Sequence, residues 1–390
     1  MKIIFLEAAQ NFGGSKRSVI DISAELIKAG HDVLIVDFWG ANKEFIEAAQ
    51  KSNIPLSILQ EEKPFIIKQG GKVKKIKNIM SYSKKRLNYK RAFESVVKDF
   101  QPDYVCVNAL KTLDILSNEA AYKIDYFVRG WSLGSNFKIK FYLKKFDIRF
   151  IAISEATRHA IHIQNRIPLS EILVVKAKVN KQLNSSIDNK VVLNFDEKRP
   201  IKILHAGTFV ETKGHHIAVL VAHGLKKQGI HFKMRIAGLI SPDESSKIYF
   251  NKLVSQTKRL GLSDDIQFIV DNHDLSGEMK NADVLINPSY TEGLSRVCLE
   301  AMSFGVPVIS NPVGGVTDFV IDNYTGYLTD FNRIDLYVEY ITKYYDNPDL
   351  LKKHSLNACD VIESGYLSNN IEYALKKAYP IDKNSLKICS

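Results

Sequence analysis

The chain has 390 residues, 45% of them hydrophobic and 25% charged, with a formal net charge of +11. That length exceeds one ordinary core and makes two domains the starting expectation. The composition excludes a disordered or collagen-like chain, no apolar run reaches the ~18 residues of a membrane-spanning helix, and four scattered cysteines (Cys106, Cys298, Cys359, Cys389) without a CxxC pair argue against a zinc cluster or disulfide framework and for a reducing cytoplasm.

In chain order, MKIIFLEAAQ reads as a strand from residue 2, not a signal peptide. The loop QNFGGS, a helix over about 16–29 and the strand DVLIVDF follow. Residues 63–93 carry eleven basic residues and no acid. Within SKKRLNYKRAFESVV, Tyr89, Ala92, Phe93 and Val96 fall at helical spacing beside Lys85, Arg86, Lys90 and Arg91. Strands are expected over 104–108, 125–128 and 149–153, with Arg129 just past the second and Ser154 as a helix N-cap past the third. FKIKFYLKKF repeats the amphipathic pattern, with Ile139, Tyr142, Leu143 and Phe146 flanked by Lys138, Lys140, Lys144 and Lys145. A polar stretch over 176–200, ending in Pro200, reads as a linker.

From residue 201 the plan repeats: strand IKILHAG, loop TFVETKG, a helix over about 216–227, strand FKMRIAG. Strand, glycine-containing loop, helix and strand, twice over, predict two doubly wound sheets. Further strands are expected over 266–270 and 284–287. The second runs into a polar turn, Pro288 to Gly293, a helix over about 297–304, Gly305, and a strand over 306–310. The tail over 366–378 is helical, with Ile371, Ala374, Leu375 and Ala378 on one face. Charge divides as sharply as structure. Residues 1–180 hold 30 Lys and Arg against 18 Asp and Glu, the rest 24 against 25, so the first half faces an anionic partner or surface.

The segment NPSYTEGLSRVCLEAMSFGVPVISNPVGG carries the most chemistry. Glu292 lies on the loop and Glu300 in the helix behind it. Eight residues at helical rise is at most about 12 Å, the span from a sugar across a diphosphate to a ribose. Between the carboxylates lie Gly293 and a helix N-terminus suited to phosphate. As a bland surface loop the segment would need only a solvated Glu and a dipole-complementing one.

EGLSRVCLEAMSFGVPVISNPVGG resembles the signature of the retaining family-4 glycosyltransferases, through Glu292, Gly293, Glu300, Ala301, Met302, Gly305, Pro307, Val308 and Ile309. The resemblance is strongest over 201–330 and traceable over 1–170. It implies the GT-B fold: two facing Rossmann-like doubly wound domains, an acceptor domain over 1–190, a donor domain over 195–365, and a C-terminal helix within 366–390 crossing back to the first. It implies that Glu292 meets hydroxyls of the transferred sugar, that the amides of Gly293, Leu294 and Ser295 meet sugar and diphosphate, and that Glu300 holds the ribose. GTFVETKG matches the family's second loop, where an Arg and a Lys neutralise the donor diphosphate; Lys213 is present but Thr208 stands in the Arg position, which makes Arg296 the candidate replacement. Gly14, in the first Gly-Gly turn, and Gly314 and Gly315, after the signature, are expected to let backbone approach phosphate. Arg129 stands where many family members carry a cleft histidine; an arginine cannot act as a base, so acceptor or phosphate binding is expected of it. Lys16 and Arg17 read as helix-surface charges, and the nucleobase loop VDNHD lacks the family's glycine.

The expectation is an enzyme: a retaining, metal-independent hexosyltransferase with no cofactor, using a nucleotide-sugar donor. The acceptor would be lipid-linked or polysaccharide, in lipopolysaccharide, O-antigen or capsule assembly. The basic first domain implies a cytoplasmic protein held peripherally on the anionic inner face of the membrane, and no nucleic-acid motif appears. A GT-B nucleotide-sugar epimerase and a non-catalytic module for anionic polymers are the alternatives; a nicotinamide oxidoreductase is disfavoured because neither glycine loop reads GxGxxG.

Overall fold

The structure, a computed structural model, describes the chain except residues 10–12, 62–71, 118–120, 131–135, 178, 180–194, 197, 242, 271–273 and 381–390. The predicted linker and the VDNHD loop therefore lie largely outside the described residues, as do the side chains of 72–84 and 136–138. The chain divides into two compact units, Met1–Lys178 with Asn369–Ser390, and Val179–Ser368.

In the first unit the described elements are β1 (Lys2–Glu7), α1 (Gly14–Lys28), β2 (Asp32–Asp37), α2 (Lys43–Lys51), β3 (Leu56–Ile58), α3 (Lys72–Phe100), β4 (Tyr104–Val107), a 3-10 turn (Leu110–Ile115), β5 (Lys123–Val128), α4 (Asn136–Lys145), β6 (Ile148–Ala152), α5 (Glu155–Asn165) and β7 (Ile172–Val174). The strands form one parallel sheet in the order β3-β2-β1-β4-β5-β6-β7. Parallel strands covered on both faces read as continuous apolar runs, which is why KIIFLE shows no alternation. Its residues nevertheless divide by the two-residue period. Ile4 and Leu6 enter the core beneath α3 and α4, while Ile3 and Phe5 enter the core beneath α1. Asn42 and Ser154 cap α2 and α5 by accepting from the Phe45 and Thr157 amides.

The second unit holds β8 (Ile201–Ala206), α6 (His215–Lys227), β9 (Phe232–Gly238), α7 (Glu244–Arg259), β10 (Ile266–Val270), α8 (Ser276–Asn281), β11 (Val284–Asn287), α9 (Arg296–Ser303), β12 (Val308–Ser310), β13 (Gly326–Leu328), α10 (Ile334–Asp346) and α11 (Pro348–Gly365). Its parallel sheet runs β10-β9-β8-β11-β12-β13. The second core gathers Ile201, Ile203, Ile286 and Ile309 from the strands with Val221 and Leu225 of α6 and Tyr337 and Ile341 of α10. Two alternating αβ sheets are what the repeated plan predicted. The short edge strands β3, β7 and β13 carry too few residues to announce themselves by periodicity.

The last helix, α12 (Ser368–Ala378), runs from the second unit into the first. Ile371, Leu375, Ala378 and Tyr379 join the core beneath α1. A buried charge fixes them there. Asp125 on β5, fully buried, accepts from Arg149 Nε at 2.8 Å and Nη2 at 2.6 Å and from the Tyr379 hydroxyl at 2.6 Å. Arg149 Nη1 donates to the Ala378 carbonyl at 2.9 Å, and its guanidinium stacks near the Tyr104 and Tyr379 rings. Bidentate geometry and full satisfaction are the conditions under which a buried ion pair holds together.

Tyr379→Phe leaves the shape intact and deprives Asp125 of one donor. It is expected to destabilise the protein by about 1–3 kcal/mol and to raise amide exchange in α12 first, measured by urea unfolding and hydrogen–deuterium exchange.

Candidate functional site

In the second sheet the chain moves outward from β8 through β9 to β10, then restarts at β11 on the other side of β8. Such a reversal leaves a crevice at the carboxyl ends of the two central strands, where ligands of open α/β sheets bind. The loops leaving β8 and β11 are GTFVETKG and PSYTEGLS. They meet: Lys213 Nζ lies 2.8 Å from Glu292 Oε2, and the Tyr290 amide donates to the Thr212 carbonyl at 2.9 Å. Glu292 is only 9% exposed and Lys213 27%, so the carboxylate is largely withdrawn from water and its charge is met by one ammonium.

Glycine permits the closeness. At Gly314 (φ +52°), on the loop after β12, a Cβ would lie 2.0 Å from the Glu292 carbonyl oxygen. The next amide, Gly315, donates to the Gly293 carbonyl at 2.8 Å. Gly214 (φ +72°) does the same on the other side, where a Cβ would fall 2.2 Å from the Pro288 carbonyl oxygen. Three loops therefore pack backbone to backbone around Glu292.

The chain enters α9 through Ser295, a non-glycine residue in the left-handed region (φ 55°, ψ 77°). That conformation costs roughly 1–3 kcal/mol. Ser295 makes no side-chain cap to the helix; its hydroxyl donates instead to Cys298 Sγ at 3.1 Å. The first-turn N–H groups of α9 thus lack the usual capping acceptor beside the two carboxylates. Leu294 is buried and anchors the loop. On α9, Arg296 Nε lies 3.5 Å from Glu300 Oε1. Each glutamate of the signature is therefore paired with one of the two cations the sequence assigned to a diphosphate.

Two imidazoles underlie the Lys213 loop. His205 on β8 and His215 at the start of α6 have ring centroids 4.4 Å apart, and both are fully buried. His205 Nδ1 donates to the Ile286 carbonyl at 3.1 Å and His215 Nε2 to the Thr208 carbonyl at 2.9 Å. The remaining nitrogens, His205 Nε2 and His215 Nδ1, have no hydrogen-bond partner among the described residues. Burial pushes the His205 pKa down to about 4. It pushes His215 well below 6.5, with His205 adding to the effect. Both rings stay neutral. The Thr208 carbonyl also accepts from the Val210 amide at 2.7 Å.

The first unit holds the other two expected site residues, Gly14 and Arg129. Gly14 opens α1, whose N-cap Gly13 supplies no side-chain bond and whose first turn has no acid. Arg129 Nε donates to Asn108 Oδ1 at 3.2 Å and its Nη1 to Ser18 Oγ at 2.5 Å. Asn108 Nδ2 donates to Glu7 Oε2 at 2.8 Å, and Glu7 Oε1 accepts from the Ala8 and Ala9 amides. This chain of bonds crosses the carboxyl ends of β1, β4 and β5. Glu7 and Asn108 went unnoticed in the sequence, and the only available signal was an acid ending an apolar strand.

Two surface expectations are corrected. Lys16 is not a surface charge: it is 1% exposed, paired with Asp37 at 3.0 Å and set over the Phe45 ring, because its helix face turns inward onto β2. The amphipathic stripes are not a lipid face either. Tyr89, Phe93, Ile139, Tyr142 and Phe146 are buried in the core, and Val96 and Leu143 pack against it. What stays outside is Leu87 (53% exposed) and Phe141 (56%) among basic residues of α3 and α4. Lys145 has its pKa lowered by burial and then by Lys90 and Arg86, so these cations are neighbours across the two helices. No helix is long and apolar enough to cross a membrane among the described residues.

Residues 186–360, which contain the whole β8–β13 sheet, match the family described as glycosyl transferases group 1. A glycosyltransferase of Haemophilus influenzae, described as uncharacterized, is 24% identical over 350 residues, 87% of this chain and 88% of that one. The capsular polysaccharide biosynthesis glycosyltransferase CapM of Staphylococcus aureus is 24% identical over 276 residues, 65% of this chain and 69% of that one. Among solved structures, HepE of Anabaena in complex with UDP superposes with a TM-score of 0.77 at 19% identity, covering 97% of this chain and 99% of that one. The fold is that of the GT-B glycosyltransferases, and the family resemblance of the signature segment stands.

The buried imidazoles make stability depend on pH. Their folded pKa values lie below the ordinary 6.5, so the unfolded chain binds protons first as acid is added. The stabilising contribution is complete above about pH 6.5 and is lost as pH falls toward about 4. For His205 the loss is on the order of 2–3 kcal/mol. Urea unfolding at pH 7 and pH 4.5 checks it, and His205→Gln should make the difference smaller.

Proposed function

We propose that the protein is a retaining hexosyltransferase that takes a sugar from a nucleotide-sugar and passes it to a lipid-linked or polysaccharide acceptor in cell-surface glycan assembly. The observation that carries the reading is the Lys213–Glu292 pair, seated at the β8/β11 reversal beside the uncapped start of α9. A charge-paired, half-dry site is suited to a substrate that brings its own charge and hydroxyls. Glu292 would accept hydrogen bonds from the sugar hydroxyls, and Lys213 would turn to the diphosphate as charge accumulates on the leaving group. Fixed positive charge that strengthens in the transition state is what accelerates such a departure. Glu300, one helical turn deeper, would accept from the ribose hydroxyls while Arg296 and the α9 amides share the diphosphate. Lys213, Arg296 and these amides meet the developing charge in this reading, which therefore calls on no metal ion. Retention follows if the leaving phosphate takes the proton of the acceptor hydroxyl arriving on the same face of the sugar.

UDP in the HepE structure and the capsular role of CapM support a nucleoside-diphosphate donor and a surface polysaccharide product. The concentration of basic residues before residue 180 supports an acceptor presented at an anionic surface. Leu87 and Phe141, with Arg86, Lys90, Lys140, Lys144 and Lys145 around them, form the surface by which the protein would rest on the inner membrane face.

Glu292→Gln and Glu300→Gln should each reduce kcat/KM for sugar transfer from a UDP-sugar by roughly 100-fold or more; near-normal turnover in both would sink the assignment. Donor conversion without any acceptor would indicate an epimerase instead. Cosedimentation with vesicles containing anionic lipid should weaken in Leu87→Glu/Phe141→Glu and in high salt, and an indifference to both would remove the membrane reading.

A further inference from the structure

The first sheet has its own reversal. Its chain runs from β1 outward through β2 to β3, then returns to β4 on the other side of β1. The same rule places a second ligand crevice at the carboxyl ends of β1 and β4. The polar groups gathered there come from adjacent strand ends: Glu7 ending β1, Asp37 ending β2, Asn108 and Lys111 after β4, Arg129 after β5.

Most of these groups are already committed. Asp37 is bound to Lys16 at 3.0 Å and accepts from the Gly40 amide at 2.8 Å. Glu7 serves two amides and Asn108. Arg129 spends Nε and Nη1 on Asn108 and Ser18. Lys111 differs. It lies on the 3-10 turn that follows β4, and its ammonium stands 4.6 Å from the centre of the Trp39 ring. It forms no ion pair with any described carboxylate. Trp39 is itself fixed, 6% exposed, with its indole N–H donating to the Tyr89 hydroxyl on α3 at 2.9 Å. A cation over an aromatic face is held in position without being neutralised. Lys111 is exposed as a residue, and partial desolvation beside the ring lowers its pKa, with Glu7 acting in the opposite direction and Lys16 reinforcing the drop. An ammonium so held gains from a bound anion.

We propose that Lys111, backed by Trp39, is the group that receives an anionic oxygen of the acceptor, a phosphate or a carboxylate. The inference rests on the glycosyltransferase reading and adds a substrate class to it: the acceptor is acidic.

The test uses the full chain with saturating UDP, so that the second unit is filled. UDP affinity of wild type, Lys111→Met and Lys111→Arg is measured first and should agree; failure of wild type to bind UDP would count against the donor reading, separately from this one. Octyl phosphate then stands for a lipid-linked phosphate and glucuronic acid for an acidic sugar, each titrated by calorimetry. At least one should bind the wild type, weaken about 10-fold or more in Lys111→Met, and recover to within about threefold in Lys111→Arg, as expected for loss and return of one charge-assisted contact. The probe that behaves so identifies the source of the anion. Equal binding to wild type and Lys111→Met, or no binding of either probe to wild type at millimolar concentration, would overturn the proposal.

Discussion

Lys213 and Glu292 lie 79 residues apart in sequence and 2.8 Å apart in space, and the constraint that joins them is the order of strands in a parallel sheet. β8 and β11 become neighbours only because the chain goes out through β9 and β10 and starts again on the other side. Everything around the pair follows from that reversal. The loops must approach closely enough for an ammonium to reach a carboxylate, so glycines stand where their backbones touch. The helix after the second loop must begin abruptly, so Ser295 accepts a strained conformation and leaves the first turn of α9 uncapped. A buried carboxylate cannot be left without a counter-charge, so Lys213 remains at Glu292 until something else engages it.

The first unit applies the same topology to different chemistry. Its reversal collects Glu7, Asn108 and Arg129 into one hydrogen-bonded chain, while Asp37 is satisfied by a buried lysine. What is left over is positive. That surplus gives local meaning to an excess of basic residues which, counted along the chain, is only a bulk property. Lys111 belongs to the strand ends and the Arg86, Lys90 and Lys145 group to the helices, so one count of charge divides into two places.

The Asp125–Arg149–Tyr379 contact lies within the first unit and ties its last segment to β5 and β6. The chain leaves the first unit near residue 178 and returns at 369, and the returning helix is held by both an apolar face and a satisfied buried charge. A helix held by apolar packing alone could slide along the sheet; the fixed geometry of a guanidinium on a carboxylate sets its register.

Sequence alone determined the repeated αβ plan, most of the longer strands to within a residue or two, and the segment in which carboxylates, glycines and a helix start coincide. These are legible because they depend on local periodicity and on residue order within some thirty positions. It did not determine who pairs with whom. Lys16 looked solvated and is buried on Asp37; the stripes of α3 and α4 looked available to lipid and are core; Lys213 and Arg296 looked reserved for phosphate and rest on Glu292 and Glu300; Glu7, Asn108 and Lys111 attracted no notice. Amphipathic spacing states that one face is covered but not by what, and a charge acquires its partner only when strands distant in the chain are set side by side. Those choices belong to the tertiary structure, because strand order, and not composition, decides which side chains share an edge.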